Sequence, residues 1–527
     1  MKNLIRIAIL LLALLMVVPC LAACGNGSGN DTTVDNSNGQ NPGGEDETTT
    51  EKDPDYIEPK KLGTDAGDYV YKAYVRSNQN GGDMKNGGNP GFYCEDFWVA
   101  DTSEDALTFA VYTRNQTIQE TFGCRIVQVD STRHMYEELK DYYQNSETHD
   151  LAIILAVGAA TAATSNLLQD INSLEYIELD HRSYDQNSIA QLSMGGKLYY
   201  LSGDMNISTM DNTASTIVNL GMYKALGETL VDTFGDEVYA DPYKLVTEKL
   251  WDMDTMLTIA ELATVDMNKS DGVTDSSKGD TVGYFEYSAT PLYYFYSSGA
   301  RLSSIDEDGY PEFTINNDYA QEVYDYIFRN LNHAANPWIA SSSGQRMNNV
   351  KSGNLLFVDF ILWDVRKQLY SGNYYSEGYG VLPTPMYDVD AQEGQYYSAV
   401  FFQDCVHLWA IPQMCTNADN AAFLFHVMAV YSSKKDSTMD AYYQKTMYMT
   451  VATDMGSRAC MDIIRTTMVY DIAQLYNWGT FSSDIQNIDT VSANGYANMV
   501  NKLDTAEEEM NLTLEKFKNP QYVPDAQ

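Results

Sequence analysis

Short apolar runs alternate with amphipathic helical patterns along the part of the chain that follows Gly91. Residues 104–122 carry apolar side chains at the spacing of one helix face, and residues 125–130 alternate as a half-buried strand does. Residues 150–156 form a continuous apolar run, typical of a strand covered on both faces, and residues 197–201 are predicted as a further strand. Strands that alternate with helices predict right-handed crossovers and a parallel sheet, and therefore an α/β fold.

The second half of the chain contains more helix. Asp252 or Asp254 is predicted to cap a helix that reaches Asp266, because a short acidic side chain can accept hydrogen bonds from the first helical turn. The other predicted elements are helices over residues 135–143, 318–331, 419–431, 458–475 and from 504 onward, and strands over residues 353–360, 379–383 and 398–411. No internal repeat is visible in the sequence.

The N-terminus carries the features of an export signal. A short cationic head precedes the apolar run Ile7–Val18, which is too short to span a bilayer. Leu21–Cys24 resembles the lipobox of bacterial lipoproteins, which implies cleavage after residues 1–23 and lipidation of the Cys24 thiol at the outer face of the cell membrane. Ordinary secretion with cleavage nearby is the alternative. Residues 24–65 contain almost no side chain able to enter a core, so they are predicted as a disordered tether.

The formal charge of −40 limits the classes of partner. Nucleic acids and anionic membrane surfaces are bound through Lys and Arg, so neither is expected as a partner of this chain. The five cysteines that follow Cys24 are an odd number and are sparsely spaced, which argues against a disulfide scaffold. Cys405 and Cys415 could form a disulfide, and free thiols are an equally good interpretation of their spacing.

Several stretches, in their order along the chain, carry a resemblance to a known family. They are VYTRNQTIQETFGCRI (111–126), LEYIELDHRSYDQNSI (174–189), GGKLYYLSGD (195–204), EKLWDMDTMLTIAEL (248–262), GARLSSIDEDGYPEF (299–313), VKSGNLLFVDFILWDV (350–365) and YGVLPTP (379–385). Together they resemble the extracellular solute-binding proteins of ABC importers, family 1, the group that contains maltose-binding protein. The resemblance implies the type 2 periplasmic-binding-protein-like fold, in which mixed sheets flanked by helices form two lobes, with hinge strands between the lobes and ligand in the cleft.

The same resemblance implies how the chain is divided between the lobes. The segments are residues 66–206 and 399–440 for the first lobe, and residues 207–398 and 441–527 for the second lobe. One motif departs from the family pattern, in which a calcium-type loop often follows the helix that begins near Asp252. Here Asp266–Asp275 has one residue too many before Gly272, so we predict a polar turn rather than a metal site.

A sugar site needs aromatic rings for the apolar face of the sugar and polar side chains for its hydroxyl groups. Gly353 and Trp363 have the same separation as a glycine and a sugar-stacking tryptophan of maltose-binding protein, which implies Trp363 as a ligand residue, with core packing as the alternative. Asp364 is predicted to bind hydroxyl groups or to cap its helix. Asp204 and Asn206 end a predicted strand, where α/β sheets gather ligands, with a hinge turn as the alternative.

Three further ligand candidates, Tyr293, Tyr294 and Tyr296, lie in the single stretch TPLYYFYSSG. Adjacent side chains on a helix point in different directions, so we predict that one of the three tyrosines faces the cleft. Arg114 falls on the apolar face of its helix and is predicted to tie the first lobe together. Trp409 is predicted to pack in the core.

The sequence contains no HExxH, GxSxG or P-loop motif, and its six histidines show no metal-ligand spacing. We therefore predict a binding protein without a metal or cofactor rather than an enzyme. The expected function is that of a monomeric substrate-binding lipoprotein of an ABC importer, which captures an extracellular oligosaccharide and delivers it to membrane permease subunits. The alternatives are a membrane-anchored carbohydrate-active enzyme and a ligand-sensing lipoprotein with the same fold.

Overall fold

The computed structural model describes residues 55–64, 67–76, 94–99, 105–131, 135–267, 279–331, 336, 339–341, 346–369, 372–400, 406–488 and 494–519. Cys24, Cys405 and most of the loop between Asp266 and Asp275 lie outside these residues, and Cys415 has a free thiol. Residues 55–64, predicted as the end of the tether, instead pack against the folded chain, because the Leu62 side chain is buried and its N–H donates to the Phe122 oxygen at 2.7 Å.

Helices account for most of the regular structure. The α-helices are α1 Ala106–Phe122, α2 Met135–Gln144, α3 Ala156–Thr164, α4 Gln186–Leu192, α5 Ile207–Asp211, α6 Leu220–Phe234, α7 Pro242–Thr247, α8 Met253–Ala263, α9 Thr290–Ser297, α10 Asp318–Asn330, α11 Arg346–Ser352, α12 Leu362–Asp364, α13 Ala418–Ser433, α14 Thr438–Asp440, α15 Met455–Thr466, α16 Ile472–Tyr476, α17 Phe481–Gln486, α18 Gly495–Val500 and α19 Leu503–Lys518. Short 3₁₀-helices span Ile171–Ser173, Glu237–Ala240 and Trp478–Thr480, and π-helices span Val365–Leu369 and Ala441–Val451. In the part of the chain that the structure describes, no helix combines the length and the apolar character needed to cross a membrane.

The strands belong to two larger sheets and two strand pairs. They are β1 Tyr69–Val75, β2 Cys124–Asp130, β3 Leu151–Leu155, β4 Ala214–Asn219, β5 Val282–Glu286, β6 Ser303–Ile305, β7 Pro311–Phe313, β8 Ile339–Ser341, β9 Leu355–Ile361, β10 Tyr379–Leu382, β11 Ser398–Ala399, β12 His407–Ala410 and β13 Met468–Val469. β6 pairs with β7, and β11 pairs with β13. The two larger sheets therefore define the architecture.

The first sheet has the strand order β12–β3–β1–β2. β1 is parallel to β2 and β3, whereas β12 is antiparallel to β3, so that His407 lies opposite Leu155. Residues 151–154 of β3 are fully buried, as their continuous apolar run predicts, and Trp409 of β12 is also fully buried, as predicted. Because α1 contacts β2 while α2 and α3 contact β3, the α/β prediction for this region is confirmed.

The second sheet has the strand order β10–β4–β9–β5–β8. β5 is parallel to β8 and β9, whereas β4 is antiparallel to β9 and β10, so the sheet is mixed. All seven residues of β9 are buried. β5 approaches α8 so closely at Gly283 that an added Cβ atom would lie 1.7 Å from the Ala260 oxygen, which requires glycine at this position.

Two connections between the sheets lie side by side. The first leaves the first sheet at Leu201 and reaches β4 through the short helix α5. The second runs from β10 of the second sheet through β11 as far as Val400, and β12 of the first sheet begins at His407, with residues 401–405 outside the described residues. A bridge between Thr213 and Val400 joins the two connections, so the chain passes between the sheets at one place in both directions.

The residues that follow α14 form a C-terminal segment that packs against both sheet regions. α15 contacts β10 of the second sheet, whereas α16 and α19 contact α3 beside the first sheet. The Tyr200 hydroxyl donates to the Tyr476 hydroxyl at 2.8 Å, and the Tyr199 and Phe517 rings lie 4.9 Å apart between centroids. The segment therefore links the two sheet regions independently of the paired connections.

Most predicted elements are observed, with their ends shifted by a few residues. The cap at Asp252 is confirmed, because its carboxylate accepts from the Thr255 N–H at 2.8 Å and α8 begins at the next residue. The predicted strand over residues 197–201 is wrong, since Lys197 closes a tight turn with Met194 and only isolated bridges form. The predicted helix over residues 458–475 is interrupted by β13, which pairs with β11.

Arg114 ties the first lobe together, as predicted. Its side chain is 3% exposed, and its Nη2 donates to the backbone oxygens of Asp96 at 2.8 Å and Phe97 at 2.9 Å. Nη1 donates to the Ser432 hydroxyl at 2.8 Å, and Nε donates to Asn115 at 3.1 Å. Because every guanidinium nitrogen has an acceptor, this buried cation acts as a structural tie.

Candidate functional site

Asn206 lies at the point where the chain leaves the first sheet. Its side-chain oxygen accepts from the Ser208 N–H at 3.1 Å, which caps α5. Its amide nitrogen donates to the Thr209 hydroxyl at 3.1 Å and to the backbone oxygen of His407. Because His407 lies opposite the end of β3, Asn206 is at the carboxyl edge of the parallel strands. The capping bonds agree with the hinge-turn alternative, and ligand binding by Asn206 stays a prediction.

A cavity of about 320 Å³ opens beside Asp204 and Asn206. Other residues that line it come from the chain before α5, from α5 itself and from the C-terminal segment, namely Arg182, Asp185, Ser202, Thr209, Arg465 and Met468. At Gly203 the wall is so close to the neighbouring backbone that an added Cβ atom would lie 2.3 Å from the Ser183 oxygen. The volume is at the lower end of the range for small-molecule sites.

Opposite charges line this cavity. The Arg465 Nη2 donates to the Asp204 carboxylate at 2.9 Å. Burial raises the pKa of Asp204, and the charges of Arg465 and Arg182 oppose this increase. Burial also raises the pKa of Asp185, whose carboxylate accepts from the Tyr470 hydroxyl at 2.6 Å. The cavity thus offers hydrogen-bond donors and acceptors close together, which is the pattern that ligand hydroxyl groups require.

Arg182 and Arg465 were not predicted from the sequence as site residues. Asp204 and Arg465 are 261 positions apart, so no helical or strand periodicity connects them. The available signal was the scarcity of cations, since the chain has 33 basic and 73 acidic residues. Because basic residues are few, each arginine is a candidate site residue, but the composition does not predict where in the fold an arginine lies.

Trp363 and Asp364 lie in α12, which directly follows β9 at the carboxyl edge of the parallel strands of the second sheet. Trp363 is partly buried against the core. Asp364 does not cap the helix, because the N-cap position is Ile361, and this alternative is wrong. Instead, the Asp364 carboxylate pairs with Arg346 at 2.8 Å, and the guanidinium carbon of Arg346 lies 4.1 Å from the Tyr287 ring centroid.

A charged cluster joins α5 to the π-helix that follows α12. The Arg366 guanidinium donates to the Asp211 carboxylate through Nη2 and through Nε at 3.1 Å, and the Tyr442 hydroxyl donates to the same carboxylate at 2.9 Å. Glu95 accepts from Arg366 at 3.1 Å and from Lys367 at 2.8 Å. We call these five residues the crossing cluster. Since α5 also contacts α12, the two groups of predicted ligand residues lie on neighbouring elements.

The three tyrosines of α9 are all in the core. Tyr293, Tyr294 and Tyr296 are at most 2% exposed, so the prediction that one of them faces the cleft is wrong. Helical geometry does separate adjacent side chains, but α9 contacts β11, α10 and α17, and all eight of its residues are buried. The structure does not bring this helix to the cavity beside Asp204.

The groups around the cavity suit reversible hydrogen bonding. Within the described ranges, His, Cys, Asp and Glu side chains form no group of three that could hold a metal ion. The cavity's tyrosine, Tyr184, is 3% exposed, and its hydroxyl lies 3.0 Å from the His426 Nδ1. An aromatic platform for a sugar would therefore have to come from elsewhere, and Trp363 is the predicted candidate.

Comparison of the sequence with protein-family models and with curated proteins gives no match. Comparison with solved structures shows which known proteins share the fold of this chain. The galacto-N-biose/lacto-N-biose I-binding protein of an ABC transporter from Bifidobacterium longum, in complex with lacto-N-biose, has a TM-score of 0.51 at 12% identity, over 86% of this chain and 98% of that chain. An extracellular solute-binding protein from Staphylococcus aureus, in complex with maltose, has a TM-score of 0.51 at 10% identity, over 85% and 98%. The predicted two-lobed α/β fold of the periplasmic-binding-protein-like type is confirmed.

Proposed function

We propose that this chain is the substrate-binding lipoprotein of an ABC import system, which captures an extracellular oligosaccharide between its lobes and delivers it to a membrane permease. The fold supports this proposal, because the two proteins of the same fold described above were each solved with a disaccharide, lacto-N-biose or maltose. Proteins with the same fold can bind different ligands, so the ligand class has to be inferred from the residues of the site.

The observation that carries the proposal is that the carboxyl edges of both sheets meet at α5. Asp204 and Asn206 precede α5 at the first sheet, and α12, which follows the second sheet, contacts α5 with Trp363 in it. Ligands of open α/β sheets bind at such edges. Asp204 and Arg465 would hydrogen-bond sugar hydroxyl groups, while Trp363 would cover the apolar face of a ring.

The proposed mechanism is capture and delivery without covalent chemistry. Lipidation at Cys24 would hold the protein at the extracellular face of the cell membrane, and the tether would let the lobes reach ligand. Ligand that contacts both lobes shifts the population from an open to a closed form by hinge bending. The closed form would then dock, as a monomer, on the permease subunits, where ATP hydrolysis drives import.

A thermal-shift screen of the purified chain against a panel of oligosaccharides tests the proposal. A ligand that binds only the native state raises the melting temperature, so at least one glycan should do so, and calorimetry should give one site per chain. Chromatography of the same mixture should recover the glycan unchanged. Release of a shorter sugar would favour the carbohydrate-active enzyme, and a panel without any stabilising glycan would contradict the proposal.

Matched variants connect the binding to the site. Asp204→Asn should weaken the best glycan about tenfold, because it removes a charge-assisted hydrogen bond next to Arg465. Asp308→Asn makes the same change of charge on an exposed turn and should leave affinity unchanged. Equal effects of the two substitutions would show that net charge, rather than this cavity, governs binding.

A further inference from the structure

A second cavity of about 320 Å³ lies where three parts of the chain meet, which are α4, residues 301–305 with β6, and residues 470–472 at the start of α16. Its polar lining comprises Gln191, Arg301, Ser303, Ser304, Tyr470 and Asp471. Among the described residues, none lines both this cavity and the one beside Asp204, so the two cavities are separate.

Arg301 presents unused hydrogen-bond donors at this second cavity. Its Nη1 donates to the backbone oxygens of Tyr296 at 3.0 Å and Ala300 at 2.7 Å. Its guanidinium carbon lies 4.8 Å from the Tyr397 ring centroid. Among the described residues, neither Nε nor Nη2 has an acceptor, and no carboxylate oxygen lies within 4.0 Å of the guanidinium. The N–H of Nε and the two of Nη2 are therefore available.

Several other guanidinium groups among the described residues are used differently, although Arg458 also donates only to backbone oxygens. Arg114, which is also buried without a carboxylate, donates from every nitrogen. Among the described residues, carboxylates pair with Arg182, Arg346, Arg366 and Arg465. The chain has 73 acidic residues, yet no described carboxylate occupies the Nε–Nη2 edge of the partly buried Arg301. This edge lies at a cavity and could therefore bind an anion from outside the chain.

Asp471 is the nearby acid, but its carboxylate is already used. One oxygen accepts from the Leu302 N–H at 2.8 Å and the Ser303 N–H at 3.2 Å, and the other accepts from the Ser303 hydroxyl at 2.6 Å and the Ala473 N–H at 3.0 Å. Burial lowers the pKa of Arg301, and the charge of Asp471 opposes this decrease. Asp471 therefore holds the backbone of β6 and α16 rather than pairing with Arg301.

Gln191 adds a second donor from another part of the fold. Its side-chain oxygen accepts from the Tyr470 N–H at 2.8 Å, which turns the amide and fixes its orientation. Its amide nitrogen has no acceptor among the residues that the structure describes. Arg301 and Gln191 thus provide donors without matching acceptors, and a neutral hydroxyl ligand would satisfy them less well than an anion.

We propose that this second cavity binds a small oxyanion, a carboxylate or a phosphate group, through the Nε–Nη2 edge of Arg301 and the amide of Gln191. A planar guanidinium edge binds two oxygens of such a group at once, which gives both strength and orientation. Ala190, Ile305 and Ile472 give the cavity apolar wall, so a compact organic acid or phosphate ester fits as well as the inorganic ion. This site is additional to the proposed oligosaccharide site and does not depend on it.

Calorimetry on the full chain, at constant ionic strength, tests the proposal with three probes, which are inorganic phosphate, glucuronate and glucose. Phosphate or glucuronate should bind at one site per chain, and glucose should not bind at this site. Arg301→Gln should weaken anion binding about 10- to 100-fold, because hydrogen bonds to a charged group are lost. Arg329→Gln is the matched control, since it removes the same charge from an exposed helix position.

The outcomes separate the sources of the anion. Binding of glucuronate alone identifies a carboxylate ligand, binding of phosphate alone identifies a phosphoryl ligand, and binding of both identifies a general oxyanion site. Binding of neither probe, or equal affinities of the Arg301→Gln and Arg329→Gln variants, would overturn the proposal. If Arg301→Gln fails to fold, Arg301→Lys and Gln191→Leu decide, since each should weaken anion binding several-fold. Affinity for a glycan found in the thermal-shift screen should be unchanged in Gln191→Leu, which keeps the two proposals distinguishable.

Discussion

Two buried aspartates, Asp211 and Asp359, differ in the groups that donate hydrogen bonds to their carboxylates. Asp211 belongs to the crossing cluster, is 4% exposed and accepts from the guanidinium of Arg366 and the hydroxyl of Tyr442. Asp211 and Glu95 act against the effect of burial and raise the pKa of Arg366. The charge of Asp211, in α5, is therefore balanced by a cation from the π-helix that follows α12.

Asp359 in β9 is fully buried, and its carboxylate accepts from hydroxyl groups of its own sheet region. The donors are Thr216 at 2.8 Å, Tyr284 at 2.5 Å and Thr290 at 3.0 Å. Burial raises the pKa of Asp359 to about 6, and these hydrogen bonds limit the increase. A carboxyl group in such surroundings can take up a proton close to neutral pH.

The comparison shows what a buried acid can do in each place. An acid paired with a distant cation holds two parts of the chain together while it stays charged, and removal of one partner leaves an uncompensated charge. An acid surrounded by hydroxyl groups organises one core and makes stability depend on pH. The first arrangement is found where the sheets are connected, and the second within a single sheet.

Replacement of Asp211 by Ala should have the largest effect on stability. It leaves the buried Arg366 without its main partner, which costs about 3–5 kcal/mol in the free energy of unfolding. Urea denaturation followed by circular dichroism measures this loss, with the exposed Asp308→Ala as the control. The double variant Asp211→Leu/Arg366→Met should recover most of the lost stability, because it removes both buried charges. If Asp211→Ala loses no more stability than Asp308→Ala, the ion pair does not stabilise the fold and the contrast between Asp211 and Asp359 is wrong.

The pH dependence of Asp359 should be the next largest effect. Its pKa in the folded chain, about 6, lies above the ordinary aspartate value of 3.8, so folding favours the protonated form. The resulting stability is complete below about pH 4 and is lost as the pH rises through 6, which amounts to about 3 kcal/mol. Asp359→Asn cannot ionise and should lack this dependence. Unfolding free energies of both proteins at pH 4 to 7 measure it, and parallel curves would contradict the assignment.

Trp363→Ala should affect the ligand rather than the fold. Trp363 lies in α12 beside the crossing cluster, so this prediction tests whether that region is also the ligand edge. We expect at least a tenfold loss of glycan affinity, about 1.4 kcal/mol, measured by calorimetry. Leu262→Ala truncates a more exposed apolar side chain on α8 and should leave affinity unchanged. Unchanged affinity in Trp363→Ala would place the site elsewhere.

Glu95→Gln should give the smallest effect. Its ion pairs with Arg366 and Lys367 are partly exposed to solvent, so their loss should cost less than about 1 kcal/mol and should shrink as salt is added. Thermal unfolding at low and high salt measures this difference. Glu515→Gln, which breaks a more exposed pair with Lys518, is the control and should have no measurable effect.

Sequence patterns predicted the elements that have a strong period. The apolar face of α1 and the uninterrupted run of β3 are both buried as expected. The predicted strand over residues 197–201 failed because the two glycines before it, Gly195 and Gly196, have positive φ angles and close a turn. Strand order and register depend on contacts between distant residues, which local patterns do not contain.

The candidate site was predictable only in part. Asn206 was predicted at the end of a strand that does not form, and it reaches the carboxyl edge of the first sheet through its contact with His407 of β12. The pairing of Asp204 with Arg465 depends on how the C-terminal segment packs. Asp364 was read as a ligand or a cap, but its partner Arg346 lies 18 positions earlier on a different element. All eight residues of α9 are buried because other elements pack around the helix. The periodicity of its own sequence does not predict these neighbours.

The C-terminal segment limits how this chain could be recombined. A chimera that took its second sheet region from another protein would lose the cover that α16 and α19 give to α3. Tyr199, which packs against the Phe517 ring, would then be exposed to water, and the remaining half would tend to aggregate. The segment ties the two sheet regions together, so domain exchange during evolution or engineering has to transfer residues 441–519 together with both regions.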